Sequence, residues 1–349
     1  MPPPRDPVAD LKRIAYLLEA MQEPSYRVRA FRSAASALAA LGPDEIAERA
    51  ASGRLQEVTG IGEVTERTIL ESLRGEEPVY LRRLESTEGT PLATGAAALR
   101  AALKGDLHSH TEASDGHFTI REMAEAAIDL GHEYLVISDH SPRLTIANGL
   151  STERLMAQLG EIAALNAELT PFRLLTGIEV DINADGSLDQ SPEVLSRLDV
   201  VVGSCHSELR MPSARMTRRM VAALANPNLD VLGHCTNRMS RRRRANRPES
   251  TFDPEIVFAA AKRFDKAIEI NCLPDRLDPP KRLLRLAVET GCRLSIDSDA
   301  HYLGQLAWVR VGCERGFLCG VTPEMIVNAM PADELLAWTA SHEAQLSQQ

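Results

Sequence analysis

The chain has 349 residues and a mass of 38.2 kDa, with 44% hydrophobic and 25% charged side chains, the balance of a globular protein rather than a disordered one. Its formal net charge of −10 and pI near 5.5 argue against a protein that coats nucleic acid or anionic membrane through bulk charge. No run approaches the length of apolar sequence that a membrane span needs, and the proline-rich first ten residues lack the apolar stretch of a secretory signal.

Leu11, Ile14, Leu17 and Leu18 recur with a helical period and predict a helix over 10–21. A second helix fits 27–41, stopped by Gly42-Pro43, and a third fits 44–52. The segment Val58-Thr-Gly60-Ile-Gly62 follows, and residues 1–87 read as one small all-helical domain. A Thr/Gly/Pro-rich stretch then predicts a linker over 88–103, with a second domain over 104–349. In that domain short β-branched runs at 105–110, 134–140, 173–182, 200–206, 231–234, 267–271 and 293–297 alternate with helical stretches such as 121–130, 153–169, 253–264 and 281–289. Seven unbroken alternations predict an α/β fold with a parallel sheet, closed into a barrel rather than left as an open sheet. The six cysteines form no Cys-x-x-Cys pair, so no disulfide framework is expected and a reducing cytoplasm fits best.

Six of the nine histidines fall at or just beyond the C-terminal ends of those runs: His108, His110, His140, His206, His234 and His301. Asp115, Glu179 and Asp299 occupy matching places. A parallel α/β barrel gathers all its strand ends on one rim, so residues nearly 200 positions apart are expected in one cup. Side chains alternate along a strand, so His108 and His110 project together, as do Asp299 and His301. Nine candidate ligands exceed what a single ion needs. They predict two or three divalent ions with a bridging carboxylate, and imidazole and carboxylate without thiolate suit Zn, Mn or Fe. Clustered ions serve in-line displacement at phosphorus, with Glu179, Asp299 and His110 at the centre. Taken singly, each of these residues would more simply be a hydrogen-bonded core histidine, a helix cap or a salt-bridge partner. His117, His132 and His342 lack strand-end positions and are expected to be solvated; Cys205, Cys235 and Cys272 are expected to pack outward as buried side chains.

These motifs resemble the polymerase and histidinol phosphatase (PHP) domain family. The likeness rests on Asp-Leu-His108-Ser-His110-Thr-Glu-Ala-Ser-Asp115-Gly, Ile-Ser-Asp139-His140-Ser, Gly-Ile-Glu179-Val-Asp-Ile, Gly-Ser-Cys-His206-Ser, Leu-Gly-His234 and Asp-Ser-Asp299-Ala-His301, and covers about residues 104–330. The resemblance implies a distorted seven-stranded barrel with three ions. One would be held by His108, His110, Glu179 and Asp299. A second would be held by Glu179, His206 and His234, and the third by Asp115, His140 and His301. Within the family the chain is most like the C-terminal domain of bacterial family X DNA polymerases, which implies a metal-dependent 3′–5′ exonuclease and phosphoesterase. The region carrying Tyr26-Arg-Val-Arg-Ala-Phe-Arg32 and Gly60-Ile-Gly62 resembles the helix-hairpin-helix domain of the same polymerases, which implies nucleic-acid binding through backbone amides at the hairpin.

The sequence departs from that pattern in three places. No Asp-x-Asp pair lies in 63–104, so no polymerase palm is expected. Thr68 stands where the resemblance would place a lyase lysine, and an imine-forming lyase needs an amine. The first 90 residues carry twelve cationic against fifteen anionic side chains, which also suits a protein-docking or dimerising helical module. Arg238 and Arg276, close behind strand ends, are candidates to hold phosphate oxygens, as is the run Arg241–Arg244. The expected substrate is a phosphorylated one, a nucleic-acid 3′ end first and a small phosphomonoester, histidinol phosphate or a nucleotide, second. An amidohydrolase-type C–N hydrolase also opens on His-x-His, but that class has eight strands and a ligating lysine after strand four, where this chain has His206. A non-catalytic DNA-end binding module is the remaining alternative.

Overall fold

A computed structural model describes residues 5–87, 92–239 and 247–344. The chain divides into two compact units, Met1–Pro91 and Leu92–Gln349. Among the described residues no helix is long and apolar enough to cross a membrane.

The first unit is helical: α1 (Pro7–Ala20), α2 (Ser25–Ala39), α3 (Pro43–Ala51), α4 (Glu63–Leu73) and α5 (Val79–Thr87). Asp6 caps α1 by accepting from the Val8 amide, the ordinary satisfaction of an orphan N–H. The four apolar residues read from the sequence bury completely against Phe31, Leu38, Leu55 and Ile69. Each predicted helix forms, with ends shifted by a few residues.

The second unit opens with α6 (Thr94–Ala102), within the stretch expected as a linker. Leu99 and Leu103 bury in the main apolar cluster of this unit, so tertiary packing orders sequence whose composition suggested a loop. Seven parallel strands follow, β1 (Gly105–Asp106), β2 (Tyr134–Ile137), β3 (Arg173–Asp181), β4 (Val200–Ser204), β5 (Val231–Leu232), β6 (Ala267–Asn271) and β7 (Arg293–Asp297), paired in chain order. Between and after them lie α7 (Ile120–Asp129), α8 (Thr152–Leu169), α9 (Pro192–Leu195), α10 (Ser213–Leu224), α11 (Pro254–Arg263), α12 (Lys281–Thr290), α13 (Val309–Leu318) and α14 (Ala332–Ala344). The capping box of Thr119 with Glu122 starts α7.

The ring closes between β1 and β7 in two ways. Near the C-terminal ends, Ser109 bridges Ala300, and the His110 amide donates to the Ala300 carbonyl at 2.8 Å. Lower down, the Asn328 side chain spans the seam, donating to the carbonyls of Gly105 at 2.9 Å and Ile296 at 2.8 Å. Strand alternation sorts the side chains. Ile268, Ile270 and Cys272 join the outer cluster under the helices, while Val200, Val202, Val231 and Ala267 meet Leu335 and Trp338 of α14 in another. Glu269 and Asn271 lie on the inward alternation, and there the interior turns polar.

Candidate metal centre

The residues gathered at the C-terminal rim come from six of the seven strands. His108 and His110 follow β1, His140 follows β2, Glu179 lies on β3, His206 follows β4, His234 follows β5, and Asp299 and His301 follow β7. Asp115 is brought in by the loop after β1. The Asp139 carboxylate holds that loop, accepting from the Thr111 amide at 2.7 Å, its hydroxyl at 2.6 Å and the Ser114 hydroxyl at 2.5 Å. Gly116 lets the loop fold tightly, since a Cβ there would stand 2.5 Å from the His110 carbonyl oxygen. Asp299 takes a left-handed φ of +54°, a strained backbone for a non-glycine residue, and such strain concentrates at functional sites.

Glu179 is 1% exposed and sits at the centre. Its Oε2 lies 2.8 Å from His140 Nδ1, 3.4 Å from His108 Nε2 and 3.7 Å from His110 Nε2. Its Oε1 lies 2.9 Å from His234 Nε2 and 3.3 Å from His206 Nε2. Asp299 Oδ1 is 3.4 Å from His110 Nε2 and 3.8 Å from His108 Nε2. Asp115 Oδ1 is 3.4 Å from both His140 Nε2 and His301 Nε2.

Two ligands about 2.0–2.1 Å from a tetrahedral ion stand roughly 3.3–3.4 Å apart, close to many of these separations and longer than a good hydrogen bond. Three groups have ligand atoms close enough to share an ion: His110, Asp115, His140 and His301; His108, His110 and Asp299; and His140, Glu179 and His206. Both Glu179 oxygens, both ring nitrogens of His110, His206 and His234, and His108 Nε2 are buried without a hydrogen-bond partner. So many orphaned acceptors and imidazoles in one pocket is a costly arrangement unless cations satisfy them. The donor set fits a divalent transition metal.

The electrostatics follow. Burial works against the charged forms of Glu179 and Asp299, yet the surrounding imidazoles hold both carboxyls well below the usual range, with Arg276 adding to the effect on Asp299. Burial and the neighbouring His140 and His301 push His110 down to about 3. Burial is outweighed at His301, where Asp115 and Asp299 lift the ring to about 9, and at His108, which the carboxylates of Glu269, Glu179 and Asp299 lift well above its ordinary value. The pocket is anionic enough to hold protons that a metal would displace.

Several residues of the site escaped the reading of the sequence. Glu269 accepts from His108 Nδ1 at 2.7 Å and from the His234 amide at 2.5 Å. Asn271 donates to Glu269 at 3.2 Å and to Asp299 at 3.0 Å. Asp181 accepts from the His206 amide at 2.9 Å and pairs with Arg143 at 3.2 Å. The available signal was the pair Glu269 and Asn271 in the strand Ala267-Ile-Glu269-Ile-Asn271, two polar residues with the same i, i+2 spacing as His108 and His110.

The two candidate arginines part ways. Arg276 Nε lies 3.4 Å from Asp299 Oδ2 and makes no hydrogen bond of its own, while Nη1 donates to Asn237 Oδ1 at 2.6 Å. Arg238 donates through its guanidinium to the carbonyls of Arg276 and Leu277, at 2.7 and 3.0 Å. The run Arg241–Arg244 lies outside the described residues. Two of the three histidines expected in solvent are buried. His132 is 5% exposed with neither ring nitrogen bonded, and His342 is held between Asp230 at 2.7 Å and the Asp265 carbonyl at 3.0 Å. His117 is exposed and stacks on Tyr302. All six cysteines are buried and free, with Cys205, Cys235 and Cys272 in the outer apolar cluster.

In the helical unit Gly60 takes a φ of +101°, with the Ser33 carbonyl oxygen 3.3 Å from where a Cβ would be, and Gly62 caps α4. The Gly62 amide is engaged by Thr65 Oγ1 at 2.9 Å. Beside this turn lies a cavity of about 740 Å³ that includes Tyr26, Arg27, Phe31, Tyr80 and Arg83 in its lining.

Comparison with known proteins agrees with both halves of this picture. A helix-hairpin-helix domain model matches residues 2–77 and a PHP domain model matches residues 106–271. The DNA polymerase/3′–5′ exonuclease PolX of Bacillus subtilis is 42% identical over 210 residues, 60% of this chain, and the match spans about a third (36%) of that relative's length. A probable phosphatase of Caldanaerobacter subterraneus subsp. tengcongensis is 31% identical over 218 residues, 59% of this chain and 79% of that protein. The crystal structure of histidinol phosphate phosphatase from Lactococcus lactis, complexed with zinc, L-histidinol and phosphate, has a TM-score of 0.44 at 17% identity, covering 63% of this chain and 94% of that one. The chain therefore belongs to the PHP domain family, its barrel preceded by a helix-hairpin-helix domain.

Proposed function

We propose that the protein is a metal-dependent phosphoester hydrolase that removes nucleotides from nucleic-acid 3′ ends, with His108, His110, Asp115, His140, Glu179, His206, His234, Asp299 and His301 as ligands of up to three ions. The observation that carries this reading is Glu179, whose two oxygens face different sets of imidazoles across one buried pocket. Zn, Mn or Fe bound there would supply a water acidic enough to attack at neutral pH and would polarise a phosphoryl oxygen.

The residues do the rest. Glu179 spans the two sides of the pocket, and its ionised carboxyl supplies the shared negative charge that draws cations together. Asp299 and His110 occupy one side, while Asp115 and His301 form the outer wall. Arg276 places a guanidinium beside Asp299, where it can meet the non-bridging oxygens of a phosphate and steady the charge that builds on them. The nucleic-acid half of the reading is supported by the helix-hairpin-helix match and by the exonuclease name of the Bacillus relative. The turn at Gly60 would bring the backbone close to phosphates without reading sequence, the Ile61 and Gly62 amides being already bonded to the Val58 carbonyl and Thr65 Oγ1.

A second reading, hydrolysis of a small phosphomonoester, is favoured by a specific observation. Glu63 and Glu66 stand in the first turn of α4, directly behind the hairpin, and their charge opposes phosphate there. The matched probable phosphatase is also covered over most of its length. The test is to supply Mn or Zn to purified protein and offer 3′-labelled single-stranded DNA beside a panel of phosphomonoesters. Stepwise shortening of the DNA from its 3′ end is expected; turnover of monoesters alone would overturn the exonuclease reading.

A further inference from the structure

Glu269 lies on β6, which contributes none of the nine candidate ligands, and it is wholly buried. Its Oε1 accepts from His108 Nδ1 at 2.7 Å, and its Oε2 accepts from the main-chain amide of His234 at 2.5 Å. Oε2 also takes a bond from the Asn271 side chain at 3.2 Å, and the same amide nitrogen reaches Asp299 Oδ2 at 3.0 Å. One carboxylate thus touches the ligand residues on both sides of Glu179. His108 belongs to the side facing Glu179 Oε2, and His234 to the side facing Oε1.

We infer that Glu269 is a positioning residue that sets two of the metal subsites at once, and this rests on the metal-binding reading of the cluster. A proton held on His108 Nδ1 by Glu269 leaves the lone pair on Nε2, the nitrogen that faces Glu179 and Asp299. It also fixes the ring plane. The second oxygen pins the backbone where the chain leaves β5, so the His234 ring is presented from a fixed Cα. Asn271 completes the tie by joining Glu269 to Asp299. The bonds from His108 and from the His234 amide fall on different oxygens of Glu269, and a glutamine of the same shape offers only one oxygen. Glu269→Gln can therefore satisfy His108 or the His234 amide, but not both.

The experiment is a manganese titration by calorimetry of metal-stripped wild type and E269Q, with the thermal midpoint of each metal-free protein measured alongside. The expected result is a roughly 10–100-fold loss of manganese affinity at the tightest sites, with E269Q still folded before metal is added. Unchanged affinity in folded E269Q would overturn the inference, because a residue with only a structural role would lower the metal-free midpoint and leave binding alone. Should E269Q not fold, Asn271→Ala releases the carboxylate from Asp299 without leaving a buried charge unpaired. It is expected to weaken binding severalfold, and unchanged affinity there would overturn the inference equally. A wild type that takes up no manganese, zinc or iron would instead bring down the metal reading itself, an outcome distinct from wild-type binding matched by the variants.

Discussion

Both units bury carboxylates, and they partner them in opposite ways. In the helical unit Asp10 pairs with Arg5 at 2.7 Å and Glu19 pairs with Arg32. Arginine is permanently charged and offers a fork of donors, so those acids meet a fixed positive charge. In the barrel Glu179 and Asp299 face imidazoles whose ring nitrogens are largely unsatisfied. Imidazole can give up its proton and present a lone pair, so the buried acids of the barrel stand beside groups able to coordinate a cation. Burial is paired with histidine in the barrel, whereas the first 91 residues contain no histidine.

The sharpest way to break this contrast is to remove the shared charge. Glu179→Gln keeps the shape but takes away the central carboxylate charge, and kcat should fall by about 10³-fold, roughly 4 kcal/mol of the barrier. Exhaustive chelation followed by manganese or zinc addition should abolish and then restore phosphodiester hydrolysis in the wild type. Activity in verified metal-free protein would refute the role given to the barrel.

A smaller effect separates the two arginines behind the rim. Arg276→Ala should lower kcat/KM for a phosphodiester by about 10–100-fold, the loss of one charge-assisted contact. Arg238→Ala should cost less than that, because its guanidinium already serves backbone carbonyls. Equal losses in steady-state assays would contradict the assignment.

Acid should separate the units in stability. Burial, aided by Arg100, pushes the His132 ring down to about 3. An unfolded chain takes up this proton near pH 6.5, so the folded state gains nothing from acid until far lower pH. His132 therefore lends full stability above about pH 6.5, and by pH 5 it has lost about 2 kcal/mol relative to neutral pH. Urea unfolding of wild type and His132→Leu at pH 7.5 and pH 5 should show the difference between the two proteins shrinking by that amount. A pH-independent difference would place the ring in contact with solvent.

The smallest expected effect lies in the hairpin. Gly60→Ala must hold a side chain at a left-handed φ with the Ser33 carbonyl oxygen 3.3 Å away, which costs about 1 kcal/mol or more. It should weaken oligonucleotide binding while leaving turnover of a small phosphomonoester unchanged. A parallel drop in both activities would count against a separate substrate-holding role for the helical unit.

The limits of the sequence can be drawn residue by residue. His108-x-His110 and Asp299-x-His301 were legible because strand alternation is local, and their place at strand ends followed from the rhythm of apolar runs. Glu269 was not legible, because its meaning depends on which residues of β1 and β5 lie across from β6. The error over His132 and His342 has the same root, since a turn and a tail give no local sign of what will cover them. Arg238 and Arg276 look alike along the chain and differ in what the fold sets against them, the carbonyls of Arg276 and Leu277 for Arg238 and the Asp299 carboxylate for Arg276.

The order of elements, the parallel sheet and the identity of the nine residues at the rim were written in local periodicity, which acts over a few positions. Which oxygen of Glu179 faces which imidazole, which acid orients His108, and which arginine reaches Asp299 depended on closure of the barrel between β1 and β7. Closure sets contacts between residues up to nearly 200 positions apart, and no local pattern encodes a distance between strands.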